Sequence, residues 1–139
     1  MAFDGARPML RKDLLARFDA LVAAANDHDT DRVVAAFSPE VRVRDGTVGR
    51  LAFGREAIRV DAETILDAWP ELEVRSHHAV LTRGVIACEW TVSPSAPSRF
   101  TASWAGVLIA DYDAVGQIRA LVLYAAPSRA VGLGGGCGA

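Results

Sequence analysis

The spacing of the apolar residues differs between the first and the second half of this chain, and that difference constrains the fold more than any other feature. Up to about residue 69, apart from a short alternating segment at residues 41–45, apolar side chains recur every three or four positions, which is typical of amphipathic helices. From Leu72 onwards the period is two, which is typical of half-buried strands. Helices followed by hairpin-connected strands predict an α+β fold with an antiparallel sheet.

The helical part of the sequence predicts three helices and one strand. The first helix begins at Asp13, and Asp29 or Thr30 caps a second helix that Ser38-Pro39 stops. Residues 41–45 alternate strictly, so they form a strand that is followed by a loop to Gly54. The third helix covers about residues 56–68. The apolar stripe of the first helix contains Leu14, Leu15, Phe18, Leu21, Val22 and Ala25.

The period-two part predicts four strands in one domain. They cover residues 72–81, 85–92, 100–110 and 118–125, with polar or glycine-containing turns between them. We therefore divide the chain into a flexible lead-in over residues 1–12, a single domain over 13–127 and a glycine-rich, disordered tail over 128–139.

Composition and charge exclude some classes of partner. The formal net charge is −2, which favours neither nucleic acid nor an anionic membrane surface. No apolar run has the length of a membrane span or a signal peptide. The two cysteines, Cys88 and Cys137, are too few for a disulfide framework, which indicates a reducing compartment. The sequence thus predicts a cytoplasmic protein with no nucleic acid or membrane partner.

Asp45 is the first candidate for chemistry. It shares the strand face of Val41 and Val43, so strand parity directs its carboxylate into the apolar interior. A carboxylate on an apolar wall is suited to act as a general base or acid. The alternative interpretation is that the strand ends at Asp45, whose side chain then caps the following turn in solvent.

Several short phrases, in this order and at this spacing, resemble the SnoaL-like branch of the nuclear transport factor 2-like superfamily over about residues 13–127. They are residues 26–31 between two helices, Phe37-Ser38-Pro39-Glu40-Val41, Gly54-Arg55-Glu56-Ala57-Ile58, Trp69-Pro70-Glu71-Leu72 and Glu89-Trp90-Thr91-Val92. The resemblance implies a cone in which the N-terminal helices close over a curved antiparallel sheet. Its open end is then one small, mostly apolar pocket for a small apolar or polycyclic ligand. It also implies a homodimer that forms through the convex face of the sheet. The pocket wall expected from the resemblance and from strand parity consists of Phe18, Leu21, Val43, Phe53, Ile58, Trp69, Trp90, Ala105, Leu121 and Leu123.

The resemblance covers enzymes and binding modules, and the catalytic residues of its members are only partly present. Asp45 aligns with the proton-shuttling aspartate of ketosteroid isomerases. Their tyrosine aligns with Leu21 and their second aspartate aligns near Ala105, so the usual donors to an enolate are missing. The catalytic aspartate of the SnoaL-type cyclases aligns with Leu123.

These observations leave open which function the chain has. The first hypothesis is a cofactor-independent enzyme of isomerase or cyclase type, with Asp45 as base and His78, expected to face inward, as its acid partner. The second is a non-catalytic ligand-binding or dimerisation module, and the third is an epoxide hydrolase or dehydratase. No ligand spacing for a metal is present, and residues 27–38 lack the glycine and the closing glutamate of a calcium loop.

Overall fold

Helices and strands follow one another as the apolar spacing predicts, with one additional strand. The structure is a computed structural model that describes residues 10–68, 71–94 and 103–127. The helices are α1 (Arg11–Asn26), α2 (Thr30–Ala35) and α3 (Gly54–Ala68). The strands are β1 (Phe37–Asp45), β2 (Arg50–Phe53), β3 (Leu72–Thr82), β4 (Val85–Pro94), β5 (Trp104–Tyr112) and β6 (Ile118–Pro127). The predictions for residues 1–9, for the tail 128–139 and for Trp69 lie outside the described residues.

The six strands form one curved, unclosed sheet in the order β2-β1-β6-β5-β4-β3. All neighbouring pairs are antiparallel except β1 and β6, which run parallel. The parallel pair joins the first strand of the chain to the last one. The α+β class is therefore confirmed, and the predicted antiparallel sheet contains one parallel pairing.

The helices cover one face of the sheet, which we call the inner face. The side chains of Val41, Ile86, Ala110 and Ile118 are fully buried on it. Helix α1 contributes Leu14 and Phe18, which lie one turn apart and belong to the same core. We call the opposite, uncovered side the outer face.

Two side chains fix the ends of the helices. Asp29 caps α2, because its carboxylate accepts a hydrogen bond from the backbone N–H of Arg32 at 3.2 Å. Asn26, at the end of α1, bonds to both backbone groups of Val74, at 3.0 Å to its carbonyl and 2.6 Å from its N–H. Since β3 is an edge strand, this contact also satisfies polar groups that the sheet leaves unpaired. None of the described helices is long and apolar enough to cross a membrane.

Candidate functional site

The part of the inner face that lies towards the C-terminal ends of β1, β4 and β6 carries mainly apolar side chains. The strand register places them in cross-strand pairs: Leu121 beside Val43, Leu123 beside Leu108, and Trp90 beside Gly106. From the helices, Leu21, Val22, Ala25 and Ala62 pack against the same core without being fully buried. This half-buried, apolar part of the inner face is the candidate site.

Asp45 stands at the rim of this surface. It is the last residue of β1 and pairs with Leu123 of β6. Its side chain lies on the inner face of the sheet, as does that of the fully buried Val41. Its Oδ1 accepts a hydrogen bond from the backbone N–H of Thr47 at 2.9 Å. The turn is itself held on β6, because Gly46 N–H donates to the carbonyl of Leu123 at 2.8 Å. One carboxylate oxygen is therefore bound within the turn, while Oδ2 makes no hydrogen bond among the described residues.

Arg50 and Asp61 join Asp45 at this corner, an arrangement that no pattern in the sequence indicates. Strand β2 places Arg50 directly opposite Asp45. The guanidinium Nη2 of Arg50 lies 2.7 and 2.6 Å from the two carboxylate oxygens of Asp61 on α3. The hydrogen bond and the charge of Asp61 raise the pKa of Arg50 above its usual value, and the charge of Asp45 adds to this. The corner thus combines two carboxylates with one guanidinium.

Trp90 forms the opposite side of the site. A Cβ built on Gly106 would lie only 2.8 Å from Cζ2 of the Trp90 ring, so the ring rests on the backbone of β5 where no side chain intervenes. The indole Nε1 is buried and has no hydrogen-bond partner among the described residues. Trp90 lies on the inner face and its neighbour Glu89 lies on the outer face, as the alternation of β4 predicts.

His78 does not lie in the site, which corrects the expectation that it faces inward. The register of β3 shifts between Ser76 and Ala79, and this bulge turns the following side chains to the other face. The His78 side chain is 84% exposed, and its Nδ1 lies 3.6 Å from Oε1 of Glu89 on the outer face. It cannot act as the acid partner of Asp45 in this arrangement.

Ala105 and Phe53 also lie away from the inner face. Gly106, Leu108 and Ala110 face inward on β5, so Ala105 points outward with Val107. Both faces of β5 are apolar, so its alternation could not distinguish them. Phe53 pairs with Arg42 and is 66% exposed, because residues 50–53 form a strand and not the predicted loop. The described residues contain no group of three or more side chains that could hold a metal ion.

Tyr112 is a second buried polar group, at the end of the sheet remote from Asp45. Its hydroxyl has no hydrogen-bond partner among the described residues. Burial raises the pKa of Tyr112 well above its usual value, while the positive charge of Arg17 opposes this and the negative charge of Asp19 adds to it. Burial also raises the pKa of the Cys88 thiol on the inner face.

Stability is expected to fall at alkaline pH because of Tyr112. An unfolded tyrosine ionises near about pH 10, whereas the folded one keeps its proton. The contribution of Tyr112 to the free energy of unfolding is therefore complete below about pH 10. It is lost as the pH rises from there towards the higher pKa that Tyr112 has in the folded protein. Tyr112→Phe should flatten this decline and, since it removes an unpaired hydroxyl, raise the free energy of unfolding at pH 8 by about 1 kcal/mol.

Urea unfolding between pH 8 and 11 measures this effect, with Tyr124→Phe as the matched control. Tyr124 is exposed on the outer face, where its hydroxyl accepts a bond from Arg44 at 3.3 Å. The control should keep the alkaline decline. If the free energy of unfolding declined equally with pH in Tyr112→Phe and in the unaltered protein, Tyr112 would not be the cause of the alkaline decline.

The comparisons with known proteins agree on the fold. Residues 18–120 match the sequence model of the SnoaL-like domain. A protein of unknown function with a cystatin-like fold from Methylobium petroleophilum PM1 is 20% identical, with a TM-score of 0.74 over 91% of this chain and 84% of that one. A SnoaL-like protein of unknown function from Burkholderia thailandensis E264 is 10% identical, with a TM-score of 0.71 over 86% of this chain and 99% of that one.

A third similar structure carries a functional description. It comes from Kribbella flavida DSM 17836 and is provisionally described as a ketosteroid isomerase. It is 10% identical, with a TM-score of 0.69 over 84% of this chain and 80% of that one. Among curated proteins, none matches the chain. At these identities the structural likeness establishes the fold, and the function has to be argued from the site.

Proposed function

The chain belongs to the SnoaL-like domain family, and on that premise we propose that it is a cofactor-independent enzyme that moves a proton on a small apolar carbonyl compound. The observation that supports this most is Asp45. Its carboxylate is fixed by Thr47 N–H at the rim of an apolar surface, and its Oδ2 makes no hydrogen bond among the described residues. A positioned carboxylate with one uncommitted oxygen is what a general base requires.

The proposed step begins when Oδ2 of Asp45 takes a proton from the carbon next to the ligand carbonyl. The electron pair of the broken C–H bond moves into the enolate. Return of the proton from Asp45 to another carbon of the conjugated system completes an isomerisation. Alternatively, the enolate carbon attacks a second carbonyl of the same ligand and closes a ring, and Asp45 returns its proton to the alkoxide oxygen that this forms. Arg50 remains paired with Asp61, and its positive charge lies beside Asp45 on the neighbouring strand.

Deuterium exchange tests this proposal without knowledge of the natural substrate. The protein is incubated with 2-tetralone in D₂O buffer, and the loss of the protons next to the carbonyl is followed by proton NMR. We expect exchange faster than in buffer alone at the same pH. Binding of the ketone without any acceleration would contradict the enzyme proposal and support the non-catalytic, ligand-binding alternative.

Epoxide hydrolysis is the second candidate, and the corner of Asp45, Arg50 and Asp61 favours it. Of two carboxyl groups beside a guanidinium, one can take a proton from a water as that water attacks the epoxide carbon, and the other, in its protonated form, can give its proton to the epoxide oxygen as the C–O bond breaks. Formation of the diol from styrene oxide, together with no exchange into 2-tetralone, would select this function over the first.

We also propose that the chain is a homodimer in the cytoplasm and that the outer face of the sheet forms the dimer interface. One row of cross-strand neighbours on this face is apolar, namely Val80, Ala87, Ile109 and Val122. Val80 is 63% exposed and Ile109 is 40% exposed. A contiguous exposed apolar row is the usual mark of an interaction surface.

Ile109→Glu is expected to convert the dimer to a monomer, because it places a charge at the centre of this row. Sedimentation velocity at micromolar concentration measures the change. The matched control is Val115→Glu in the turn between β5 and β6, an exposed valine that lies away from the row and should leave the dimer intact. A monomeric unaltered protein would refute the dimer.

A further inference from the structure

The indole N–H of Trp90, which is buried and has no acceptor among the described residues, calls for an explanation. A buried donor without an acceptor loses its hydrogen bond to water and gains none from the protein, so such groups are rare in folded proteins. Trp90 is held in this position by its neighbours, since the ring lies over Gly106 and its strand pairs with β5 from Val85 to Val92. The ring therefore cannot be turned outward without breaking this packing.

We infer that the Trp90 Nε1–H donates a hydrogen bond to an oxygen atom of the bound ligand. This inference rests on the proposed function, because it requires that a ligand occupy the apolar part of the inner face. Indole N–H is a donor only. The group it selects is therefore an acceptor such as a ketone, enone or quinone oxygen, and not an ammonium group.

The position of Trp90 relative to Asp45 indicates how the ligand lies. The pairing runs from Asp45 to Leu123, from Leu123 to Leu108 and from Leu108 to Cys88, and Trp90 is two residues beyond Cys88 on the same face. Three strand spacings of about 4.8 Å across the sheet and two residues of about 3.3 Å along β4 separate them, which corresponds to about 16 Å between the Cα atoms of Asp45 and Trp90. The two side chains thus approach a ligand from two ends of the inner face, one with a donor and the other with a base.

The chemistry of the proposed reaction requires such a donor. An enolate forms readily only if its oxygen receives a hydrogen bond as the charge develops. The two positions that the resemblance to ketosteroid isomerases implies for such donors are Leu21 and Ala105, and neither has a donor side chain. Trp90 supplies the hydrogen bond from a different strand, and the oxygen it holds is the carbonyl oxygen of the substrate.

Two-dimensional NMR of the indole groups tests the inference directly in the unaltered protein. The chain has three tryptophans. Adding 2-tetralone should move the Trp90 indole proton downfield, whereas tetralin, the same bicycle without the oxygen, should not. An indole signal that responds equally to both compounds would overturn the inference.

Affinity measurements with Trp90→Phe give the second test. The unaltered protein should bind 2-tetralone about tenfold more tightly than tetralin, as expected for one buried hydrogen bond. Trp90→Phe should lose this preference and keep its affinity for tetralin. Trp104→Phe is the matched control, because it removes an indole N–H from the same face of the sheet on the neighbouring strand β5, and it should keep the preference for 2-tetralone over tetralin.

The outcomes separate this inference from the proposed catalysis. If Trp90→Phe still prefers 2-tetralone over tetralin, the role of Trp90 is overturned, whatever the exchange rate of the unaltered protein is. If Trp90→Phe loses this preference and the unaltered protein exchanges 2-tetralone no faster than buffer does, Trp90 remains a hydrogen-bond donor to the ligand and the catalytic role of Asp45 is overturned. Failure of both compounds to bind the unaltered protein overturns both proposals.

Discussion

Asp45→Asn is expected to slow deuterium exchange into 2-tetralone by about 10²- to 10⁴-fold, the usual contribution of a positioned general base. Asparagine has the same shape, and its amide oxygen can accept the bond that Thr47 N–H donates at 2.9 Å. The turn after β1 should therefore keep its geometry. The amide cannot take a proton, so the chemical step is lost while the affinity for 2-tetralone changes little.

The matched control for this substitution is Asp111→Asn. Asp111 lies near the other end of the sheet, where Arg119 donates to its carboxylate at 3.2 Å, and it takes no part in the candidate site. Its substitution should leave the exchange rate unchanged. If Asp45→Asn also retained the full rate, the carboxylate would serve only to cap its turn, which is the alternative that the sequence left open.

The order of the elements could be predicted from the sequence because local patterns determine it. The stripe from Leu14 to Ala25 has helical spacing, and Asp29 is a residue that favours the cap position. The alternation in β4 places Ile86, Cys88 and Trp90 on the inner face, because the residues that alternate with them, Ala87 and Glu89, are small or charged. Here the polarity of the side chains and the period of the strand agree.

The errors arose where polarity or period gives no information. Strand β5 has Val107 and Ile109 on one face and Leu108 and Ala110 on the other, so apolar character cannot identify the inner one. In β3 the period itself is interrupted, and the bulge before Ala79 reverses the direction of His78. Both errors concern single side chains and leave the order of the strands intact.

The corner of the site could not be predicted because it depends on contacts between distant segments. Strand β2 is four residues long, and its sequence, Arg50 to Phe53, has no clear alternation. Its pairing with β1 brings Arg50 opposite Asp45, and the position of α3 then supplies Asp61. The parallel pairing of β1 with β6, which supports the turn at Asp45, also joins segments about 80 residues apart in the sequence.

Gly106→Ala is expected to be the most destabilising single substitution in the sheet. A Cβ at this position would lie 1.9 Å from the backbone oxygen of Tyr124 and 2.8 Å from the Trp90 ring. The ring could move, but the backbone of β6 cannot do so without breaking its pairing with β5. We expect the free energy of unfolding to fall by about 3 kcal/mol or more, at the upper end of the cost of overpacking.

Gly49→Ala separates this steric effect from the general cost of replacing a glycine. Gly49 has a φ of +71° and nothing within 4 Å of the added Cβ, so only backbone strain of about 1 kcal/mol is expected there. Urea unfolding of both variants measures the difference, and equal midpoints would contradict the close approach of β5 and β6 at Gly106. Because the same glycine makes room for the Trp90 ring, a folded Gly106→Ala protein should also lose the preference for 2-tetralone over tetralin. The sheet and the site therefore depend on one position, at which a hydrogen atom is the only side chain that fits.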